Sequence, residues 1–243
     1  MQNIDPHYSA FFLLNALISA AAMAATDTPL TVQAAGLNKW IEFTKDNKNL
    51  PYLIIDKRVA HMWIYDRKGV PIASSAVLLG SAIGDETVEG IGTRPLSQIA
   101  PHERTTPAGR FFLESGKNIS GEEVLWVDYT AAVSLHRVRP GQPSERRIER
   151  LASKSVYDNR ISYGCINVPI SIFNLDIQPI FKPTGGYAYI LPELMEIRRY
   201  FPNIHSLATQ RVAEKQSFPT SDVRSTLLNI PPPFFSQKRR LKY

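Results

Sequence analysis

Between residues 52 and 191 the chain is written in short runs of Val, Ile, Leu and aromatic residues broken by turn residues, and this pattern restricts it to a β-rich fold. Residues 52–56, 59–66 and 70–79 are three such runs, with Asp66-Arg67-Lys68-Gly69 as a hairpin turn between the second and third. Strand runs resume at 109–115, 124–127 and 132–136, and a last one, 187–191, follows the Gly185-Gly186 turn. Helical periodicity is confined to three places. In 31–48, Leu37, Trp40, Ile41 and Thr44 fall at i, i+3, i+4 and i+7. In 143–154, Ile148 and Leu151 share a face. In 169–178, Ile170, Phe173 and Ile177 face inward and Pro179 ends the helix. Many strands with few helices predict a mainly β domain, an antiparallel sandwich or barrel with short helical additions.

Residues 81–106 interrupt the strands with Gly84, Gly90, Gly92, Pro95 and Pro101. A loop this long inside a domain is usually functional, a lid or a binding wall. Its glycines do not have phosphate-loop spacing and no helix start follows them.

The chain has one cysteine, in Ser162-Tyr163-Gly164-Cys165-Ile166-Asn167-Val168-Pro169, and His136 stands upstream at the end of an apolar run. Gly164 allows close backbone approach. Pro169 suits the first turn of a helix starting just behind the thiol, whose N-terminus would favour thiolate, the reactive form. A buried, inert cysteine is the competing reading, and the Cys–His pair alone divides evenly between the two.

The flanking residues break the tie. Ser-x-Gly-Cys-Ile-Asn resembles the signature of the L,D-transpeptidase (YkuD-like) catalytic domain family, in which a histidine lies upstream of Ser/Thr-His-Gly-Cys. Thr105-Thr106-Pro107-Ala108-Gly109-Arg110-Phe111 resembles that family's Thr-Pro-x-Gly-x-Phe turn. Leu53–Asp56, Trp63–Tyr65 and Val77–Gly80 resemble its opening strands. The resemblance covers roughly residues 50–192, with four motifs in family order. It implies a β-rich capped sandwich with Cys165 as nucleophile and His136 as proton acceptor at the end of a groove. It also implies a backbone carbonyl beside the histidine, that of Arg137, as orienting group. Two departures stand out. Tyr163 replaces the family's histidine before Gly-Cys, and residues 142–159 lengthen the gap between His136 and Ser162.

Acyl transfer also needs an oxyanion site, and the N–H groups around Tyr163, Gly164 and Cys165 suit one. Ser162 either orients the turn or caps it locally. Asn167 either binds substrate carbonyls or caps the following helix. Arg160 and the other arginines of the cationic stretch 137–160 either hold substrate carboxylates or form a solvated face. His61, His102 and His205 make no metal-ligand spacing with Cys165, so neither a metal nor another cofactor is expected.

The net charge of +6 resides in residues 194–243, with nine Lys/Arg against three Asp/Glu. The aromatics there form no stacking pattern, so nucleic acid is not an expected partner, and Pro231-Pro232-Pro233 suits a flexible tail. Residues 1–24 read as a secretory signal ending in Ala22-Met23-Ala24, although no Lys or Arg precedes Lys39. The apolar part is too short and interrupted for a stable membrane span. The expected organisation is a signal at 1–24, a helical extension at 25–50, a catalytic domain at 51–193 and a basic tail at 194–243. The expected protein is an exported, monomeric cysteine acyltransferase acting on peptidoglycan stem peptides in the periplasm or envelope. A hydrolase using the same cysteine and a silent peptidoglycan-binding module are the alternatives.

Overall fold

The computed structural model describes residues 28–204. Its strands are β1 (Tyr52–Asp56), β2 (His61–Tyr65), β3 (Pro71–Ala76), β4 (Leu79–Gly80), β5 (Gly109–Lys117), β6 (Glu123–Asp128), β7 (Val133–Arg137), β8 (Arg160–Ser162), β9 (Ile166–Val168) and β10 (Gly186–Leu191). Eight form one sheet in the order β3-β2-β1-β10-β5-β6-β7-β9, and β4 pairs with β8. An isolated bridge between Leu78 and Asn167 ties the chain beyond β3 to β9 at the opposite edge. The sheet is therefore nearly closed, and the mainly β architecture with short helices is as expected.

The pairing is mixed rather than antiparallel throughout. β1 runs parallel to β10 and β7 parallel to β9. A parallel neighbour needs a crossover of about a dozen residues or more. Residues 138–165, including the stretch that lengthens the motif, supply it between β7 and β9.

On β5, β6, β7 and β9 the residues Leu113, Leu125, Val127, Val133, Leu135, Ile166 and Val168 alternate into one core with Phe173, Ile177 and Phe181. Each such side chain, fully buried, contributes about 1.5–3 kcal/mol. β1 and β10 are instead buried along their whole length. Their second face is covered by α1 (Val32–Thr44), through Leu37, Trp40 and Ile41, and by Phe201, whose ring lies 6.4 Å from Trp40 and 6.1 Å from Tyr189. Thr31 caps α1, accepting from the Ala34 N–H, and its hydroxyl donates to Asp56 at 2.7 Å. The Asp66–Gly69 turn closes as its residues require. Asp66 accepts from the Lys68 and Val70 N–H groups, and Gly69 takes φ 88°.

Two helices depart from expectation. α2 (Arg147–Ala152) buries Leu151 against Leu78 and Val138 but leaves Ile148 exposed, because one short turn offers the core only one side chain. α3 comprises Ile170–Ile172, a π-helical Phe173–Ile177 and Gln178–Phe181. Pro179 does not end it. The widened π turn just before the proline absorbs the missing donor and the ring's clash with the preceding turn. Ile170 is exposed, and Ile172 takes the core place expected of it. Residues 1–24 and most of the basic tail lie outside the described residues. Short α4 (Ile197–Tyr200) leads into buried Phe201.

Candidate active site

The β7–β9 register builds the site. Leu135 pairs with Ile166 and His136 with Asn167, and both Leu135 and Ile166 are fully buried in the core. Successive strand residues point to opposite faces, so Ser134, His136, Cys165 and Asn167 emerge together on the other side. Cys165 is half-buried. Its sulfur lies 3.7 Å from Ser134 Oγ and 3.7 Å from the Ala132 carbonyl oxygen.

His136 Nδ1 is 2.8 Å from the Arg137 carbonyl oxygen. A carbonyl can only accept, so Nδ1–H is the donor and the neutral ring keeps its lone pair on Nε2. Burial pushes the Cys165 thiol up, but a hydrogen bond to His136, the charge of His136 and hydrogen bonds to Ser134 outweigh it, and the net direction is down. A helix N-terminus is not among these causes. β9 separates Cys165 from α3, which starts only at Ile170, and Pro169 precedes the helix instead of sitting in its first turn.

The turn carrying the thiol is held from beneath. Gly164 has φ +130°, and a Cβ there would stand 2.7 Å from the Thr105 carbonyl oxygen, so only glycine fits. Thr106 Oγ1 donates to the Gly164 carbonyl at 2.8 Å and accepts from the Gly80 N–H at 2.9 Å. Ser162 Oγ donates to the Cys165 carbonyl at 2.6 Å and accepts from the Gly164 N–H at 3.1 Å. The Gly164 N–H is thus committed and cannot serve an oxyanion. Among the described residues the N–H groups of Tyr163 and Cys165 have no acceptor.

Other sequence candidates are placed differently from expectation. Asn167 is fully buried within β9 and caps no helix. Its Oδ1 accepts from Arg147 of α2 at 3.1 Å, and its Nδ2 is 3.4 Å from the Cys165 carbonyl. Arg160 is not open to a substrate carboxylate, because its guanidinium is paired with Glu193 and donates to the Lys57 carbonyl at 2.7 Å. The Tyr163 ring carries the Arg104 guanidinium at 4.2 Å. The Arg137 side chain turns to Asn174 and lies 4.3 Å over Phe173. A cavity of about 360 Å³ between β5, β6 and α3 is lined by Lys117, Glu123, Phe173, Gln178 and Lys182 among others, with neither Cys165 nor His136 in its wall.

The loop 81–106 forms three 3₁₀ turns, anchored by buried Ile91 and Ile99 and an Arg94–Glu103 ion pair. A Cβ on Gly92 would meet the Thr130 carbonyl at 2.2 Å, so the loop packs against the β6–β7 turn beside the thiol. Sequence reading missed Ser134 and Trp126. Counting back by two from His136 gives Ser134, and Trp126 pairs with it across β6. Trp126 packs edge-to-face with exposed Tyr129 at 5.0 Å.

No family model and no curated protein matches the chain. In three dimensions it is similar to the catalytic domain of an L,D-transpeptidase from E. faecium, at 18% identity and TM-score 0.34, over 58% of this chain and 96% of that one. It is similar to an L,D-transpeptidase from Xylanimonas cellulosilytica at 15% identity and TM-score 0.35, over 58% of this chain and 60% of that one. It is also similar to the helical cell shape determining protein Pgp2 from Campylobacter jejuni at 12% identity and TM-score 0.40, over 73% of this chain and 64% of that one. The chain thus spans less than two thirds of the latter two proteins. The functional reading rests on the site's own residues and geometry.

Proposed function

We propose that the protein is a cysteine acyltransferase of peptidoglycan, an L,D-transpeptidase acting on tetrapeptide stems. The observation that carries this reading is the Cys165–His136 pair on the open face of β7 and β9. The thiol's pKa is lowered there, and the imidazole's other nitrogen is fixed by the Arg137 carbonyl. With its proton held by His136 Nε2, the sulfur attacks the carbonyl of the diaminopimelyl–D-alanine bond. The oxyanion forms facing the Tyr163 and Cys165 N–H groups, and one such donor contributes roughly 3 kcal/mol to transition-state stability. D-alanine leaves as His136 returns the proton to its nitrogen, and a thioester remains on Cys165. An acceptor amine then attacks that thioester, passing its proton to His136, and the thiolate departs. A 3→3 cross-link or another amide results, depending on the amine.

Water in place of the amine gives a carboxypeptidase or endopeptidase with the same residues. Cys165 is half-buried rather than sealed off, which keeps that reading as the second one. Such a substrate places the enzyme outside the cytoplasmic membrane, in keeping with the signal read at 1–24. No helix among the described residues is long and apolar enough to cross a membrane. Incubation of the purified full chain with disaccharide-tetrapeptides, followed by mass spectrometry, tests the proposal. Cross-linked dimers with D-alanine released support transfer, and tripeptide alone supports hydrolysis. Recovery of intact substrate would refute both.

A further inference from the structure

Lys57 follows β1 directly, and its ammonium is fully buried. Its Nζ donates to the Gly84 carbonyl at 2.5 Å, Asp85 Oδ1 at 2.7 Å and the Thr106 carbonyl at 2.9 Å, which engages all three protons of the charged form. Asp85 also accepts the N–H groups of Glu193 at 2.8 Å, Leu194 at 2.8 Å and Met195 at 2.7 Å. Glu193 lies 3.6 Å from Lys57 Nζ, accepts from the Gly84 N–H at 3.0 Å and pairs with Arg160. Arg160 closes the circuit on the Lys57 carbonyl. Two cations and two carboxylates thus form a neutral, buried ring, and the acyl-transfer chemistry uses none of them.

Two paths lead from this ring to the nucleophile. Lys57 grips the Thr106 carbonyl, and the Thr106 hydroxyl grips the carbonyl of Gly164, the residue before Cys165. Arg160 opens β8, and Ser162 at its end holds both the Gly164 N–H and the Cys165 carbonyl. Burying so much charge is expensive unless every group is paired, as it is here. A hydrophobic cluster at this place would fill the volume without fixing any direction for Thr106.

We propose that Lys57 is a positioning residue for Cys165, acting through Thr106 to aim the thiol and the Cys165 N–H at the acyl carbonyl. Misplacement by about 1 Å costs on the order of 100-fold in rate. Only the kinetic arm of the test rests on the acyl-transfer reading. The full chain is compared with Lys57→Met, Thr106→Val and Thr106→Ser. Circular dichroism and thermal midpoint report folding, and iodoacetamide alkylation against pH reports the Cys165 thiolate. D-alanine release gives kcat and KM. The expected result is that Lys57→Met and Thr106→Val lower kcat about 10- to 100-fold with KM little changed, and displace the alkylation profile to higher pH. Thr106→Ser restores both, because it keeps the hydroxyl. If Lys57→Met fails to fold, the two Thr106 variants decide the matter. Folded Thr106→Val with a wild-type kcat and alkylation profile would overturn the proposal and leave the ring as bracing. If the wild type releases no D-alanine, the acyl-transfer reading falls, while the alkylation profiles still decide the positioning claim.

Discussion

The face of β7 and β9 that carries Cys165 and the charged ring around Lys57 lie on either side of one turn, and their polar groups are satisfied to very different degrees. Every donor on Lys57 is engaged and its side chain has no exposure. Cys165 is half-buried, with only distant sulfur contacts at 3.7 Å and a histidine beside it. A fully paired buried cluster fixes geometry, whereas a thiol held by a few long, weak contacts is free to change partners. Reactivity therefore belongs to the loosely satisfied side, and the rigidity that directs it to the saturated one.

The largest effect expected is on the reactive side. Cys165→Ala should abolish acyl transfer with a thermal midpoint close to wild type, because the sulfur packs little and reacts. As the family resemblance implies, a carbapenem should add once to the wild type by intact mass and not to this variant. An adduct surviving on Cys165→Ala would break the comparison at its root.

His136→Ala should follow, with a loss of about 10²–10⁴ in acylation, the range for a missing general base. The same variant isolates the pKa effect. His136 stabilises the charged form of the thiol, so wild type should be alkylated at pH values below the ordinary thiol range near 8.5. Without the imidazole the rise should move upward toward that range. An unmoved profile would leave Ser134 as the group that lowers the thiol.

On the saturated side the effect should be in stability. Asp85→Asn leaves Lys57 without its nearest charge, and breaking a buried pair costs about 3–5 kcal/mol. Burial raises the Asp85 carboxyl, but Lys57 and three backbone N–H groups outweigh it and hold it below the usual carboxylate range. A depressed folded-state pKa stabilises above the unfolded value and is lost as pH falls through the folded one. Denaturant titrations should therefore show the gap between wild type and variant at neutral pH and see it narrow in acid.

These two sides were not equally legible in the sequence. Cys165 and His136 stand out through short motifs and the resemblance these carry, and the strand ending at His136 through its apolar run, whereas three-residue β9 reads in sequence as the approach to a helix. The hairpin at Asp66–Gly69 was legible for the same reason, as turn chemistry sits in consecutive residues. The ring was not legible. Lys57 meets Asp85 across 28 positions and Thr106 across 49, and Arg160 donates to the Lys57 carbonyl across 103. No periodicity marks such partners, and a lysine after a strand ordinarily reads as solvated. The surroundings of Asn167 and Arg160 were hidden for a related cause. From its sequence neighbours Asn167 reads as a substrate ligand or a cap and Arg160 as a carboxylate holder or a solvated cation, while partners far along the chain engage both. Pro179 shows the opposite failure, a correct local rule overridden by a π turn that only the packed helix reveals.

Tyr163 tests the boundary between the two sides, and its expected effect is the smallest. It stands between Ser162, whose hydroxyl knits the turn, and Gly164, whose φ only glycine tolerates, yet its ring faces Arg104 at 4.2 Å. A cation over a partly exposed ring contributes about 0.5–1 kcal/mol, and phenylalanine retains that face. Tyr163→Phe should therefore keep most of the D-alanine release rate and shift the thermal midpoint little. Tyr163→His should also be active, since histidine is the residue the resembling family uses there and His136 already holds the proton-accepting place. If instead the wild type is silent and Tyr163→His turns over, position 163 supplies the missing base. The natural chain would then be a peptidoglycan-binding module with an idle thiol, and the contrast between a reactive and a saturated side would no longer describe it. Measuring all three proteins on one tetrapeptide substrate separates these outcomes.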